Sequence, residues 1–171
     1  QKVRLVLAEK NLEAKLTYLN LRKGDQFEPA YLKLNPNGVV PTLVHDGRVV
    51  IESTLIAEYL DEAFPAVSVR PADLVDRAAM RIFASMPDQG LHAACGTIST
   101  VAAFRHQFLA LTPAELKRNI EATPDAARRD RKRLGIEKGM EAPHVPDAMR
   151  AYDGALARME ARLAHGKAWL M

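Results

Sequence analysis

A single cysteine, Cys95, stands in the 171 residues, so no disulfide can close within the chain and no cysteine-built zinc site can assemble. No apolar run approaches the roughly 18 residues that a membrane span needs, and no charged-then-apolar leader opens the chain. The five histidines, His45, His92, His106, His144 and His165, lack the short spacings to carboxylates that gather metal ligands on one helix face, so no metal is assigned. Charge of one sign is also scarce in excess: 24 basic against 21 acidic residues leave +3. That excess gathers in Arg128, Arg129, Arg131, Lys132 and Arg133, where Asp130 interrupts it and no aromatic interleaves, which reads as a solvated helix face rather than a nucleic-acid surface. These absences point to a soluble cytoplasmic protein with no nucleic-acid or membrane partner.

What is present is enough to fold, because 48% of the residues are apolar. Val3, Leu5, Val6 and Leu7, followed by Leu12, recur as on an amphipathic helix. Leu16 to Leu21 alternates as a half-buried strand does, and a helical turn is expected around Pro29 to Leu34. Asn35-Pro36-Asn37-Gly38 is dense turn chemistry before the β-branched run Val39 to Val44. Asp46-Gly47 separates that run from Val49-Val50-Ile51, a strong hairpin signal. Ser53 can cap a helix carrying Leu55, Ile56, Tyr59, Leu60 and Phe64, which Pro65 ends.

Beyond a linker at residues 66–72 no strand is expected. Long helices over Asp73 to Leu111 carry Ala78, Ile82, Met86, Val101, Phe104 and Phe108. Thr112-Pro113-Ala114-Glu115 reads as a capped start, and a last helix runs from about Asp147 to Ala164 with Met149, Tyr152, Leu156, Met159 and Leu163 as its stripe. The expected organisation is therefore an α/β domain at residues 1–65 and an all-helical domain at residues 73–171.

The chemistry concentrates between Asn35 and Leu60. A proline that opens a strand removes a ladder donor, so Val40-Pro41 needs a reason. Either it is a trans proline on an edge strand, or it is cis and turns the Val40 N–H and C=O outward to pair with a short extended peptide. Further on, Ser53 stands at a helix start, where unpaired N–H groups and a partial positive charge suit a carboxylate, and Glu52 suits an ammonium. Together these two match a free amino-acid head group; separately, Ser53 reads as a cap and Glu52 as a surface charge. Cys95 lacks a Cys-x-x-Cys partner and reads as a small buried or wall residue, and His92 as an ordinary helix histidine or a substrate contact.

The stretch Asn35-Pro36-Asn37-Gly38-Val39-Val40-Pro41-Thr42-Leu43, then Asp46-Gly47, then Ile51-Glu52-Ser53-Thr54 and Ile56-Ala57-Glu58-Tyr59-Leu60, resembles the glutathione-site signature of the glutathione transferase family. Gln1 to Lys10 is similar to the first helix of many bacterial and plant members. The resemblance implies a thioredoxin-like domain followed by a helical bundle, and usually a homodimer. It implies that the Val40 backbone, ahead of a cis Pro41, holds the cysteinyl part of glutathione and that Glu52 with Ser53 holds its γ-glutamyl part. Glutathione would serve as co-substrate and a small hydrophobic electrophile as acceptor. The arginine-rich segment and the helix before it resemble the bacterial β-etherase branch, which implies aryl ether cleavage.

Three departures accompany the resemblance. Family members begin with a strand and a turn carrying the Ser, Tyr or Cys that activates the thiol; that residue is expected upstream of Gln1, so the catalytic residue stays unassigned. Val39 stands where a polar residue often reaches the glycyl carboxylate. The chain also looks incomplete at its C-terminal end. The other function classes are a non-catalytic binding or assembly module on the same fold, and a nucleic-acid binder using Arg128 to Arg133.

Overall fold

The computed structural model describes residues 1–21 and 23–164. By its internal contacts the chain divides into two compact units, Gln1–Ala78 and Ala79–Met171.

The first unit contains helix α1 (Lys2–Glu9), a 3₁₀ turn at Asp25–Phe27, helix α2 (Pro29–Leu32), strands β1 (Thr42–His45) and β2 (Arg48–Ile51), and helix α3 (Ser53–Ala63). α1 stops because Asn11 takes φ 52. The Leu12 N–H then reaches Leu7 O (2.8 Å) and the Asn11 N–H reaches Ala8 O (3.0 Å), a Schellman closure with Leu7 and Leu12 as its apolar pair. The strands pair antiparallel in the register Thr42↔Ile51 to His45↔Arg48. Asp46 (φ 49) and Gly47 (φ 74) both lie at positive φ, as a two-residue type I′ loop requires.

The strand expected over Leu16 to Leu21 does not form. A ladder needs a partner, and among the described residues β1 and β2 pair only with each other. Leu16 is 64% exposed and Tyr18 94%.

Buried apolar side chains are few in this unit: Ile56 and Leu60, both on α3. Polar groups complete its interior. Lys10, at the end of α1, pairs with Asp61 near the end of α3 at 2.8 Å, with side chains 1% and 3% exposed. Lys10 Nζ also donates to Val67 O. Asp61 accepts from the Val69 N–H (2.8 Å) and Ser68 Oγ (3.2 Å), and pairs with Arg70 Nε at 2.9 Å. Burial pushes the Asp61 carboxyl up, but its bonds from Lys10, Val69 and Ser68 outweigh that and hold it below the ordinary carboxylate value. At the other end of the pair, Lys2 Nζ donates to Thr54 Oγ1 (2.9 Å). α1 and α3 therefore lie side by side and parallel. At the hairpin's turn end, His45 Nδ1 bonds Tyr59 Oη (2.6 Å) and the His45 ring stacks near Phe64, tying β1 to α3.

The second unit is helical: α4 (Leu74–Ser85, beginning in the first unit), α5 (His92–Ile98), α6 (Arg105–Leu109), α7 (Pro113–Glu121), α8 (Ala126–Lys138) and α9 (Val145–Leu163). A kink at Gln89 and Gly90, where Gly90 takes φ 120, separates α4 from α5, and a π-helical turn at Ser99–Phe104 joins α5 to α6. The Thr112–Glu115 capping box forms in full at the start of α7. Val101, Ala142 and Val145 make a buried apolar cluster.

α9 packs on α5 through small residues. Ala148 and Ala155 are buried, while Met149 and Leu156 of the expected stripe are 50% and 56% exposed. Small side chains on both helices (Ala94 and Thr97 on α5) allow close approach. Ile82, also expected inside, is 72% exposed, whereas Met86 and Val101 are buried as expected. No helix of the described residues is long and apolar enough to cross a membrane.

The basic run on α8 is only partly a solvated face. Lys132 Nζ donates to Asn119 O (3.0 Å) and Oδ1 (2.6 Å) and lies 5.4 Å from the Phe108 ring centre. Burial, followed by neighbouring Arg128, pushes its ammonium down to about 8. Arg129 donates to Thr123 O (2.9 Å).

Two outcomes follow from the first unit. Asp61→Asn leaves Lys10 buried without its counter-charge and should lower unfolding free energy by about 3–5 kcal/mol, read from the denaturant midpoint. Because the folded carboxyl titrates below the unfolded one, its contribution is complete above about pH 4 and is lost as pH falls through the lower folded value. The parent should therefore lose stability over that range more steeply than Asp61→Asn. Gly38→Ala should cost about 1–3 kcal/mol: Gly38 sits at φ 56, and an added Cβ would meet Phe27 Cδ1 at 2.8 Å.

Candidate functional site

The hairpin register decides where the expected site residues meet. Thr42 faces Ile51, so the residues before Thr42 and those after Ile51 leave the ladder at the same end. Val40-Pro41 and Glu52-Ser53 are thereby neighbours, although ten residues separate them in sequence.

The Val40–Pro41 peptide is cis. Val40 is 44% exposed, and neither its N–H nor its C=O is hydrogen-bonded within the described residues. A backbone N–H and C=O both left unbonded at the end of a hairpin are what an added peptide strand needs. The loop before it is anchored from within the protein. Asn35 is fully buried; its Nδ2 donates to Val39 O (2.9 Å) and Thr42 Oγ1 (3.3 Å), and its Oδ1 accepts from the Asn37 N–H (3.1 Å). Tyr31 Oη donates to Val39 O (2.7 Å) and bonds Thr42 Oγ1 (2.8 Å).

On the other side, α3 begins at Ser53, and the capping position belongs to Glu52, with no side-chain capping bond. The expectation that Ser53 caps the helix is corrected: it is the first helical residue, half-buried, and its hydroxyl is not spent on the helix's own N–H groups. Glu52 sits at φ 68, ψ 114, outside the common regions for a side-chain-bearing residue. Such a conformation costs on the order of 1–3 kcal/mol and persists where surrounding structure enforces it, often at a ligand site. Here the ladder ending at Ile51 and the helix starting at Ser53 enforce it. Glu52 is exposed and Ser53 lies beside the α3 dipole, so opposite charges can be received at adjacent residues. The parallel packing of α1 sets a second helix N-terminus, with Lys2 at its first residue, next to Thr54.

Sequence reading did not single out Tyr31, and it took Asn35 as turn chemistry only. The signal for Asn35 was its own residue type: asparagine can donate and accept at once, which a buried loop with orphaned backbone groups demands.

His92 and Cys95 lie in the second unit. Both are exposed, which removes the buried alternative for Cys95 and leaves the wall alternative; its Sγ lies 3.8 Å from Ser99 Oγ. The hydrogen bond that the Tyr152 O–H donates to Cys95, followed by burial, holds that hydroxyl above the usual tyrosine range. A surface depression of about 420 Å³ between α7 and α8, lined by Leu116, Ile120, Arg129 and Arg133 among others, contains none of the expected site residues. Among the described residues no group of three or more His, Cys, Asp or Glu side chains could hold a metal ion.

Known proteins resemble this chain in sequence and in fold. Residues 1–63 match the family model for the glutathione S-transferase N-terminal domain. The chain is 32% identical over 163 residues to protein LigF of Sphingobium sp. strain SYK-6, covering 92% of this chain and 62% of that protein. It is 40% identical over 84 residues to a probable glutathione transferase of Aplysia californica, covering 48% of this chain and 87% of that protein. Among solved structures, the β-etherase LigF from the same Sphingobium strain superposes with a TM-score of 0.85 at 31% identity, over 95% of this chain and 68% of that one. A maleylacetoacetate isomerase from Methylobacterium extorquens AM1, solved with bound malonate and GSH, gives 0.58 at 26% identity, over 95% of this chain and 63% of that one. The chain thus spans 62% of LigF's length, with a thioredoxin-like first part and a helical second part. From the matched domain and these relatives, the chain belongs to the glutathione transferase family.

Proposed function

We propose that the protein binds glutathione as co-substrate through Val40, Pro41, Glu52 and Ser53 and transfers its thiolate to a small hydrophobic electrophile. The observation that carries this reading is the uncommitted Val40 backbone beside the start of α3. In this reading the Val40 N–H donates to the cysteinyl carbonyl and the Val40 C=O accepts from the cysteinyl N–H. Ser53 and the α3 N-terminus receive the γ-glutamyl carboxylate, and Glu52 its ammonium. The thiol loses its proton, the thiolate sulfur forms a bond to an electrophilic carbon, and a leaving group departs with the electron pair of the broken bond. Lys2, Arg4 and the N-termini of α1 and α3 favour an anion in that neighbourhood. The likeness to LigF, named a β-etherase, supports an aryl ether as the electrophile.

We further read residues 1–65 as the glutathione-binding domain and residues 73–171 as the helical domain that receives the electrophile, in a cytoplasmic protein. A homodimer is supported by α4, whose Leu74, Val75 and Ile82 share one helical face and are 73%, 77% and 72% exposed.

Ser53→Ala should weaken glutathione binding by about 1–3 kcal/mol in calorimetric titration, since a buried carboxylate loses a charge-assisted donor. Glu52→Gly should weaken binding while leaving thermal stability equal or higher, because glycine relieves the positive φ. Parent-like affinity in both variants would remove the head-group assignment. Turnover of a reactive aryl halide with glutathione separates a transferase from a binding module, which would bind without conjugating. Ile82→Lys should convert a dimer to a monomer in analytical ultracentrifugation.

A further inference from the structure

We propose that Tyr31 and Asn35 are positioning residues for the glutathione site, aiming the Val40 N–H at the ligand; this rests on the role assigned above to the Val40 backbone. The peptide bond is planar, so Val39 C=O and Val40 N–H lie in one rigid unit and point in opposite directions. Whatever fixes Val39 O therefore fixes the direction of the Val40 N–H. Two donors fix it: Tyr31 Oη at 2.7 Å and Asn35 Nδ2 at 2.9 Å. They occupy both lone pairs of that oxygen, so the carbonyl has no capacity left for solvent or ligand.

The same two side chains hold the residue beyond Pro41. Asn35 Nδ2 donates to Thr42 Oγ1 at 3.3 Å, and Thr42 Oγ1 bonds Tyr31 Oη at 2.8 Å. With Tyr31 Oη donating to Val39 O, the Thr42 hydroxyl donates to Tyr31, and the bonds close a ring from Asn35 through Thr42 and Tyr31 back to Val39. Within it the Thr42 and Tyr31 hydroxyls each accept one hydrogen bond and donate the next, so these bonds gain from mutual polarisation. Val40-Pro41 is thus gripped on both sides, by Val39 O and by Thr42 Oγ1, while the Val40 groups stay uncommitted.

The two side chains are themselves fixed. The Asn35 N–H bonds Tyr31 O (2.9 Å), Asn35 Oδ1 accepts from Asn37, and Asn35 is wholly buried. Their polar atoms are spent on the loop, so their influence on glutathione passes through the Val40 peptide. A ligand hydrogen bond tolerates roughly 0.5 Å and 10–20° of misplacement, which sets how much this ring contributes.

The test uses the whole chain, with affinity measured by calorimetry and backbone amides followed by ¹⁵N–¹H spectra at saturating glutathione. In the parent, the Val40 and Ser53 amides should both shift on binding. Tyr31→Phe and Thr42→Val each open the ring without adding charge or much volume. Both should weaken glutathione roughly 5- to 10-fold and shrink the Val40 shift, while the Ser53 shift persists and the unfolding midpoint moves little. Thr42→Ser, which keeps the hydroxyl, should restore parent affinity and the Val40 shift. A full Val40 shift in Tyr31→Phe and Thr42→Val, or loss of affinity only in proportion to lost stability, overturns the proposal and leaves the site reading standing. If neither amide responds in the parent, the site reading fails, and the proposal with it.

Discussion

The first unit hangs on the buried pairing of Lys10 with Asp61. Few large apolar side chains are buried there, so hydrophobic burial alone does not dictate how α1 lies on α3. The ion pair does, because a charge out of water tolerates only a geometry that returns its hydrogen bonds. Asp61 also accepts from Val69, Ser68 and Arg70, so one carboxylate fixes two helices and the segment that follows α3. A hydrophobic replacement of the pair would keep the volume but orphan the Val69 N–H, which makes this pair harder to replace than an isolated one.

That constraint reaches the site through helix direction. Lys10–Asp61 at one end and Lys2–Thr54 at the other make α1 and α3 parallel. Parallel packing aligns two helix dipoles unfavourably, yet it brings two N-termini together where an anionic ligand would offset the repulsion. The strained Glu52 belongs to the same arrangement. A strand ending at Ile51 and a helix beginning at Ser53 leave a single residue to make the turn, and that residue carries the carboxylate.

The second unit is built differently. α9 meets α5 with Ala148 and Ala155, while Met149 and Leu156 face outward. Close helix approach here depends on small side chains, so hydrophobicity alone misidentifies the packed face. The basic stretch of α8 shows the same limit: Lys132 and Arg129 turn inward to carbonyls at the end of α7 and the loop after it, which their charge did not indicate.

Local chemistry was legible in the sequence wherever a few neighbouring residues decide the outcome. Asp46-Gly47 determined the hairpin turn because both residues tolerate positive φ. Thr112 to Glu115 determined a helix start because cap and carboxylate lie three residues apart. The order of Asn35 to Pro41, Glu52 and Ser53 determined which family the chain resembles. Only the tertiary structure decided that Glu52, not Ser53, occupies the capping position, that Leu16 to Leu21 stays out of the sheet, and that Lys10 meets Asp61 across 51 residues. It also decided that Asn35 is a buried anchor rather than turn chemistry alone. The reason is common to all four: a ladder, an ion pair and a buried amide each need a partner supplied by a distant part of the chain, and alternation or residue type states the need without naming the partner.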